Sequence, residues 1–404
     1  MPRLSKWLLA VAPTGALLAI APTGALLAIA MTGALPVAAM ADVVVSSNDG
    51  HSVMDAKKTI VAPNPLGRDS ITVIDVKAYP PKIKATFDAP GSVVGPPGAI
   101  WLSKDESWGI VTSATKADAA AKTGGISPDD RVAVFDLTAN PPKVTQTLTA
   151  GLGAAQVRVS PDGTMALVAN RTEGTISVFT IKDKQLTAAG KIDTGNAKSL
   201  PSAVVFVDDN NALLTRGGDN MVNVLHIDGG KVTIDPRPIT TGLAPYTMDI
   251  NAAHTLAAVS NMGRGDGDED SVSLIDLKSK PYRVVGTFGV PSGPEPMKFS
   301  PDGRFLAIGA ENGSTKTASN PFHSDHGLLG LYAVEGQTLR KITQANTGPW
   351  IEGIAFTRDG KTILVQGMQD RKVEVFRWNG KTLTPGKSLP IDNAGPESFA
   401  TAWP

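Results

Sequence analysis

The chain of 404 residues contains no cysteine. Disulfides, thiolate metal ligands, cysteine nucleophiles and a lipid anchor on cysteine are therefore excluded. Neither sign of charge is in excess, since 38 basic side chains face 38 acidic ones. No basic stripe interrupts that balance, so a nucleic-acid backbone has no electrostatic footing here. Aromatic residues are few, at 5%. Several catalytic signatures are also missing. There is no Gly-x-Ser-x-Gly elbow and no His-Glu-x-x-His helix. Gly360-Lys361-Thr362 and Gly380-Lys381-Thr382 look like the end of a phosphate loop, but Ala355 and Val375 stand where its first glycine belongs. Gly263-x-Gly265 is followed by neither the third glycine nor the helix of a dinucleotide site.

The first 41 residues form a unit of their own. Arg3 and Lys6 give a basic start, and no charged residue follows from Trp7 to Ala41. The segment ends Ala39-Met40-Ala41, a small-x-small cleavage pattern. Its apolar part is long because Ala12–Ile20 is repeated at once as Ala21–Ile29. Pro13, Pro22 and Pro36 weaken a permanent spanning helix. Residues 1–41 read as a secretory signal peptide. The mature chain, 42–404, is expected in the periplasm, or secreted, with no membrane span once the signal is cleaved.

Glycine (41) and proline (30) are abundant, which suits many turns between short strands. One alternating strand recurs seven times, beginning at Ile71, Val132, Ile176, Val222, Val272, Leu328 and Val373. The intervals are 61, 44, 46, 50, 56 and 45 residues. The shortest match a four-stranded propeller blade of about 40–45 residues. A strand–turn–strand unit precedes most copies, as in Val157–Asn170 and Met297–Ile308, with Ser-Pro-Asp-Gly at the turn. Six blades are complete in chain order. The seventh is split: Gly395–Trp403 reads as a first strand with nothing after it, and Asp42–Asp49 as a second strand with nothing before it. Joining the two would close the ring and remove its open strand edges. The expected fold is an all-β, seven-bladed β-propeller, acting as a monomer.

Gly151–Asn170, Val290–Ala307 and the repeated strands ending in Asp resemble the YVTN-repeat propellers and the related lactonase-like seven-bladed propellers. The resemblance covers nearly all of 42–404 and implies the fold more than the activity. Propeller lactonases typically carry Gly-Pro-Arg-His on an inner strand, a His-Pro turn and an Asn-Glu at the next strand end. The corresponding segments here are Gly293-Pro294-Glu295-Pro296-Met297, Ser300-Pro301-Asp302-Gly303 and Glu311-Asn312. The arginine and both histidines are absent, so those acid–base groups do not carry over.

Blade topology sorts the loops into two faces. The tight Pro-Asp-Gly turns share one face. The long connections, roughly 49–69, 114–130, 262–270 and 313–327, share the other, where binding loops usually lie. The entrances of the channel strands open on that second face. The candidate catalytic residues there are Glu352, Glu295, Arg216 and Arg171. The candidate ligand-binding residues are Asn48, Gln156, Asn170, Tyr246, Asn261, Arg264, Asn312 and Trp350. His51, His323, Asp325 and His326 also fall in these loops and could hold a divalent metal if the loops folded over the channel. Gly263–Asp270 is acidic but lacks the spacing of an EF-hand, and reads as a solvated loop. Three functions fit this pattern. The first is a binding or scaffold module for a small polar ligand or a protein partner. The second is a lactonase-like hydrolase with its site at the channel mouth. The third is an accessory subunit of a periplasmic redox enzyme.

Overall fold

The computed structural model describes residues 42–122 and 124–403. The segment read as a signal peptide lies outside the described residues.

Seven antiparallel sheets of at least four strands make a seven-bladed propeller. Blade I combines Gly395–Thr401, Val43–Asp49, Ser70–Asp75 and Lys82–Asp88. Blades II to VII follow in chain order, starting from the inner strands Ile100–Leu102, Ala154–Val159, Pro201–Asp208, Pro245–Ile250, Pro294–Phe299 and Ile351–Phe356. The only helical element among the described residues is a single 3-10 turn, Gly217–Asp219. No helix of the described residues is long and apolar enough to cross a membrane. In blade I the last strand pairs antiparallel with the first, setting Val44 against Thr401 and Asp49 against Gly395.

The repeated turn works by side-chain chemistry. In blade III, Ser160 Oγ donates to Asp162 at 2.5 Å and accepts from the Met165 amide at 3.0 Å. Ser300 with Asp302 and Thr357 with Asp359 repeat the arrangement. Gly163, Gly303 and Gly360 then take the left-handed conformation that closes each hairpin. In blade V, Asn251 and His254 fill the same roles without a Ser-Pro-Asp-Gly sequence.

Alternation along the strands sends apolar side chains into the gaps between blades. Each core cluster therefore joins neighbours: Leu256, Leu274, Phe299 and Leu306 bind blade V to blade VI. Each such aliphatic or aromatic side chain contributes about 1.5–3 kcal/mol when fully buried. Trp403 packs with Val44, Val76 and Leu364, and its indole N–H donates to the Phe356 carbonyl at 2.8 Å. Trp403 thereby fastens the last strand to blade VII as well as to Val43–Asp49.

Two of the long connections are not irregular. Residues 53–54 pair with 60–61, and Thr115–Ala117 pairs with Ile126–Pro128. Both small hairpins stand on the face opposite the tight turns.

Candidate functional site

Each inner strand enters the channel through the same local device. The residue before it is left-handed in five blades: Gly153, Leu200, Ala244, Gly293 and Trp350. A register shift follows at once, between Pro294 and Met297, Ile351 and Ile354, Pro245 and Met248, and Pro201 and Val204. Bulges of this kind re-aim a side chain and are common beside active sites. The residues re-aimed are Ser202, Tyr246, Glu295 and Glu352. Glu397 stands next to the equivalent shift in blade I.

These positions gather an unusual density of carboxyl groups. Glu295, Glu352 and Glu397 are all buried, and both Glu352 carboxyl oxygens lack a hydrogen-bond partner. Burial pushes Glu295 well above the usual carboxylate range, and the neighbouring Glu311 adds to the effect. Burial does the same to Glu352, reinforced by Glu295 and Glu397. Glu397 is pushed up to about 8, first by burial and then by Asp49. Like charges in a dry site cannot all ionise together, so this set holds protons near neutral pH.

Tyr246 is the hub on the other side. Burial and the nearby Glu295 raise its pKa, while Arg171 opposes them. The Arg171 guanidinium lies 5.1 Å from the Tyr246 ring centre and donates to Ser202 Oγ. Thr315 donates to Glu311 Oε2 at 2.8 Å. One arginine, one phenol and a proton-sharing carboxyl set thus meet at one end of the channel. Such a set can take and give protons and can steady a developing negative charge.

The hairpin 53–61 shields this end. Met54 and Ile60 pack on Trp350, Met368 and Val93. Lys58 Nζ donates to the Ser314 carbonyl at 3.0 Å, and the Ala62 amide to the Gly124 carbonyl at 2.6 Å. The hairpin therefore reaches loops of two other blades and keeps water off the carboxyl groups.

The other predicted residues are placed differently. Asn48, Asn170 and Asn261 occupy one equivalent position, and each uses its amide within its own blade. Asn170 Nδ2 donates to Thr175 and Ser177, and its Oδ1 accepts from the Gly151 amide. Asn48 reaches Ser70 and Thr72, and Asn261 reaches Ser271 and Ser273. Arg216 stands at the matching position of blade IV and is held there by Asp219 and Asn223. Gln156 accepts from the Val204 amide at 2.5 Å and fastens blade III to blade IV. Asn312 bonds Ser324 and the His326 carbonyl within its loop. Arg264 lines a surface pocket with Asp266, Asp268 and Glu269. Trp350 belongs to the apolar cap under the hairpin.

His51 meets partners other than His323 and His326. Its Nδ1 lies 2.8 Å from Asp69 and its Nε2 lies 3.1 Å from Thr115 Oγ1, which in turn lies 2.7 Å from Ser92 Oγ. Among the described residues, Asp49, His51 and Asp69 form the one group with metal-ligand spacing. Asp49 already accepts amide hydrogen bonds from His51, Ser52 and Val93. His323 instead pairs with Asp325 at 3.1 Å and with the Lys316 carbonyl.

Glu311 and Glu397 are the functional candidates that strand-end reasoning undervalued. The signal for Glu397 was its place after Pro396, matching Pro294-Glu295. Glu311 stood out only as part of Glu311-Asn312, the counterpart of the Asn-Glu strand end of propeller lactonases.

The fold and this mouth define a seven-bladed β-propeller with an acidic, arginine-bearing channel entrance. Residues 129–228 match the family model described as lactonase, seven-bladed β-propeller. A putative 6-phosphogluconolactonase from Bacteroides fragilis is similar in structure, with 16% identity and a TM-score of 0.66, over 88% of this chain and 97% of that one. The periplasmic gluconolactonase of Pseudomonas aeruginosa shows 15% identity and a TM-score of 0.64, over 89% and 99%. A functionally unknown protein from Desulfotomaculum acetoxidans shows 13% identity and a TM-score of 0.64, over 89% and 98%. No curated protein matches the chain by sequence.

Proposed function

We propose that this protein is an exported lactone hydrolase whose site is the carboxyl-rich channel mouth. The observation that carries the reading is the meeting of Glu295, Glu311 and Glu352 with Tyr246 and Arg171 behind a shielding hairpin. The ionised member of the Glu295–Glu311 pair takes a proton from water as the water oxygen bonds to the lactone carbonyl carbon. Arg171 and the Tyr246 hydroxyl steady the resulting oxyanion. The ring C–O bond then breaks, and the protonated Glu352 supplies the leaving oxygen with its proton. The product is an open hydroxy acid, whose new carboxylate is repelled by the surrounding glutamates. A lactone has no charge, so it can enter where its product is expelled. The two lactonase-named structures support this reading by fold, and the N-terminal 41 residues support export to the periplasm.

The test is hydrolysis of a panel of γ- and δ-lactones, followed by acid release, for the wild type and for Glu295→Gln, Glu352→Gln and Arg171→Met. Loss of a general acid or base lowers kcat by about 10²–10⁴-fold. Turnover untouched by all three substitutions rules out this site.

A second reading, docking of a protein partner, draws on a different feature. Leu152, Leu200 and Leu243 are exposed just ahead of three successive inner strands on the mouth face. They form an apolar rim that hydrolysis does not need.

A further inference from the structure

The channel has a second end, and its chemistry is the reverse of the first. Three residues beyond Glu295 on the same strand stands Lys298, and three beyond Tyr246 stands Asp249. Arg158 occupies the matching position of blade III. At about 3.3 Å per residue these side chains lie roughly 10 Å down the channel from the carboxyl mouth. They line a cavity of about 100 Å³ that opens on the tight-turn face. Trp101, Met248, Met297 and Phe399 give it apolar walls, and Thr247 and Thr401 add two hydroxyls.

The charge count in this cavity is uneven. Lys298 Nζ lies 3.1 Å from Asp249 Oδ1, and Asp249 Oδ2 accepts the Phe299 amide at 2.8 Å. Lysine and aspartate therefore cancel. Arg158 is attracted by the same Asp249, which thus faces two cations. One of its terminal nitrogens donates to the Gly98 and Val157 carbonyls, which fixes the guanidinium plane but not its charge. Arginine stays protonated in proteins, so Arg158, Lys298 and the single Asp249 sum to one positive charge at the cavity. Arg158 is half-buried, and a bound carboxylate would balance the excess charge through charge-assisted hydrogen bonds.

We propose that this end of the channel binds a small organic monocarboxylate, with its carboxylate on Arg158 and its apolar body against Trp101, Met248 and Phe399. The single net charge favours a monoanion over a phosphate dianion, which Asp249 would repel. The volume sets the size. A cavity of about 150 Å³ accepts benzene, so the smaller space here suits a short aliphatic chain. This site does not depend on the hydrolytic reading of the other mouth, and either can fail without the other.

The test uses the full chain labelled with 5-fluorotryptophan and titrated with propionate, observed by fluorine NMR. Chloride at equal ionic strength, inorganic phosphate and the neutral isostere propionamide serve as comparisons. Trp101 and Trp403 line the cavity, whereas Trp350 lies under the hairpin at the opposite mouth. Propionate should shift Trp101 and Trp403 saturably and leave Trp350 in place. Propionamide, which needs no variant to fold, should bind about tenfold more weakly or worse. Arg158→Met should weaken propionate by a similar factor, and Lys298→Met less. Equal binding of propionate and propionamide would overturn the proposal. So would stronger binding of phosphate, a response centred on Trp350, or propionate affinity unchanged in Arg158→Met.

Discussion

Glu397→Gln should leave the protein about as stable as the wild type in acid and make it markedly more stable in alkali. Glu397 is buried beside Ser47, Ser92, Asp49 and Asp69 and titrates at about 8, against an ordinary value of 4.5. Each unit of that displacement is worth about 1.4 kcal/mol, so ionising Glu397 within the fold costs about 5 kcal/mol. The direction follows from where the proton sits. Below pH 4.5 the carboxyl is protonated folded or unfolded, and its contribution is intact. Between 4.5 and 8 the unfolded chain gives up the proton first, so stability falls as pH rises. Above that window the loss is complete. Glutamine is neutral throughout and keeps the shape of the protonated acid. Urea unfolding of both proteins from roughly pH 4 to pH 9 measures the difference directly. The substitution also removes the push that Glu397 exerts on Glu352, so the difference between the curves reports Glu397 together with that coupling, and both act in the same direction. The expected gap is near zero in acid and a few kcal/mol in favour of the variant in alkali. A gap that does not change with pH refutes the reasoning.

Three further outcomes follow from single contacts. Gly293→Ala places a Cβ 3.2 Å from Glu311 Cβ at a φ of +67°, so it should cost about 1–2 kcal/mol and, by displacing Glu311, lower lactone turnover. Denaturant curves and kinetics read the two effects separately. Met54→Ala with Ile60→Ala removes the underside of the shielding hairpin. Water then reaches the carboxyl set, and the pH dependence of stability between about 4.5 and 8 should flatten relative to wild type. His51→Gln tests a different sign. Burial opposes its charge, but Asp69 and Asp49 outweigh it and raise its pKa above 6.5. Its contribution is therefore present below 6.5 and lost as pH rises through the folded value, and that loss should be missing in the variant.

The seven blades were legible because most are written twice. The alternating strand gives the sheet, and Ser-Pro-Asp-Gly or its Asn251 equivalent gives the hairpin before it. Both signals are local, and packing between blades reinforces them. The hairpins at 53–61 and 115–128 were not legible. They pair only two or three residues a side, too few for alternation to show. They owe their position to distant contacts such as Lys58 to Ser314.

The site was legible in part, for a reason that lies in blade geometry. Asn, Arg and Glu recur at two positions, the end of the second strand and the start of the inner one. At the second-strand end the side chain can reach the third strand and the preceding loop of its own blade. Asn48, Asn170, Asn261 and Arg216 are used there. At the inner-strand start a bulge turns the side chain toward the channel, where it meets other carboxyl groups as well as its own blade. Glu295, Glu352 and Glu397 stand at that position: Glu295 meets Glu311 of its own blade and Tyr246 of the blade before it, Glu397 meets Ser47 and Ser92, and Glu352 is pressed between Glu295 and Glu397. Asn170→Ala and Glu352→Gln therefore separate the two roles. The first removes hydrogen bonds to Thr175, Ser177 and Gly151 and should cost about 2 kcal/mol of stability while sparing the rate per folded molecule. The second should abolish turnover while leaving the protein as stable as before, or more so, at neutral pH. If Asn170→Ala instead lowers kcat in fully folded protein, the division between blade-binding and channel-facing positions is wrong. The polar strand ends would then have to be returned to the site.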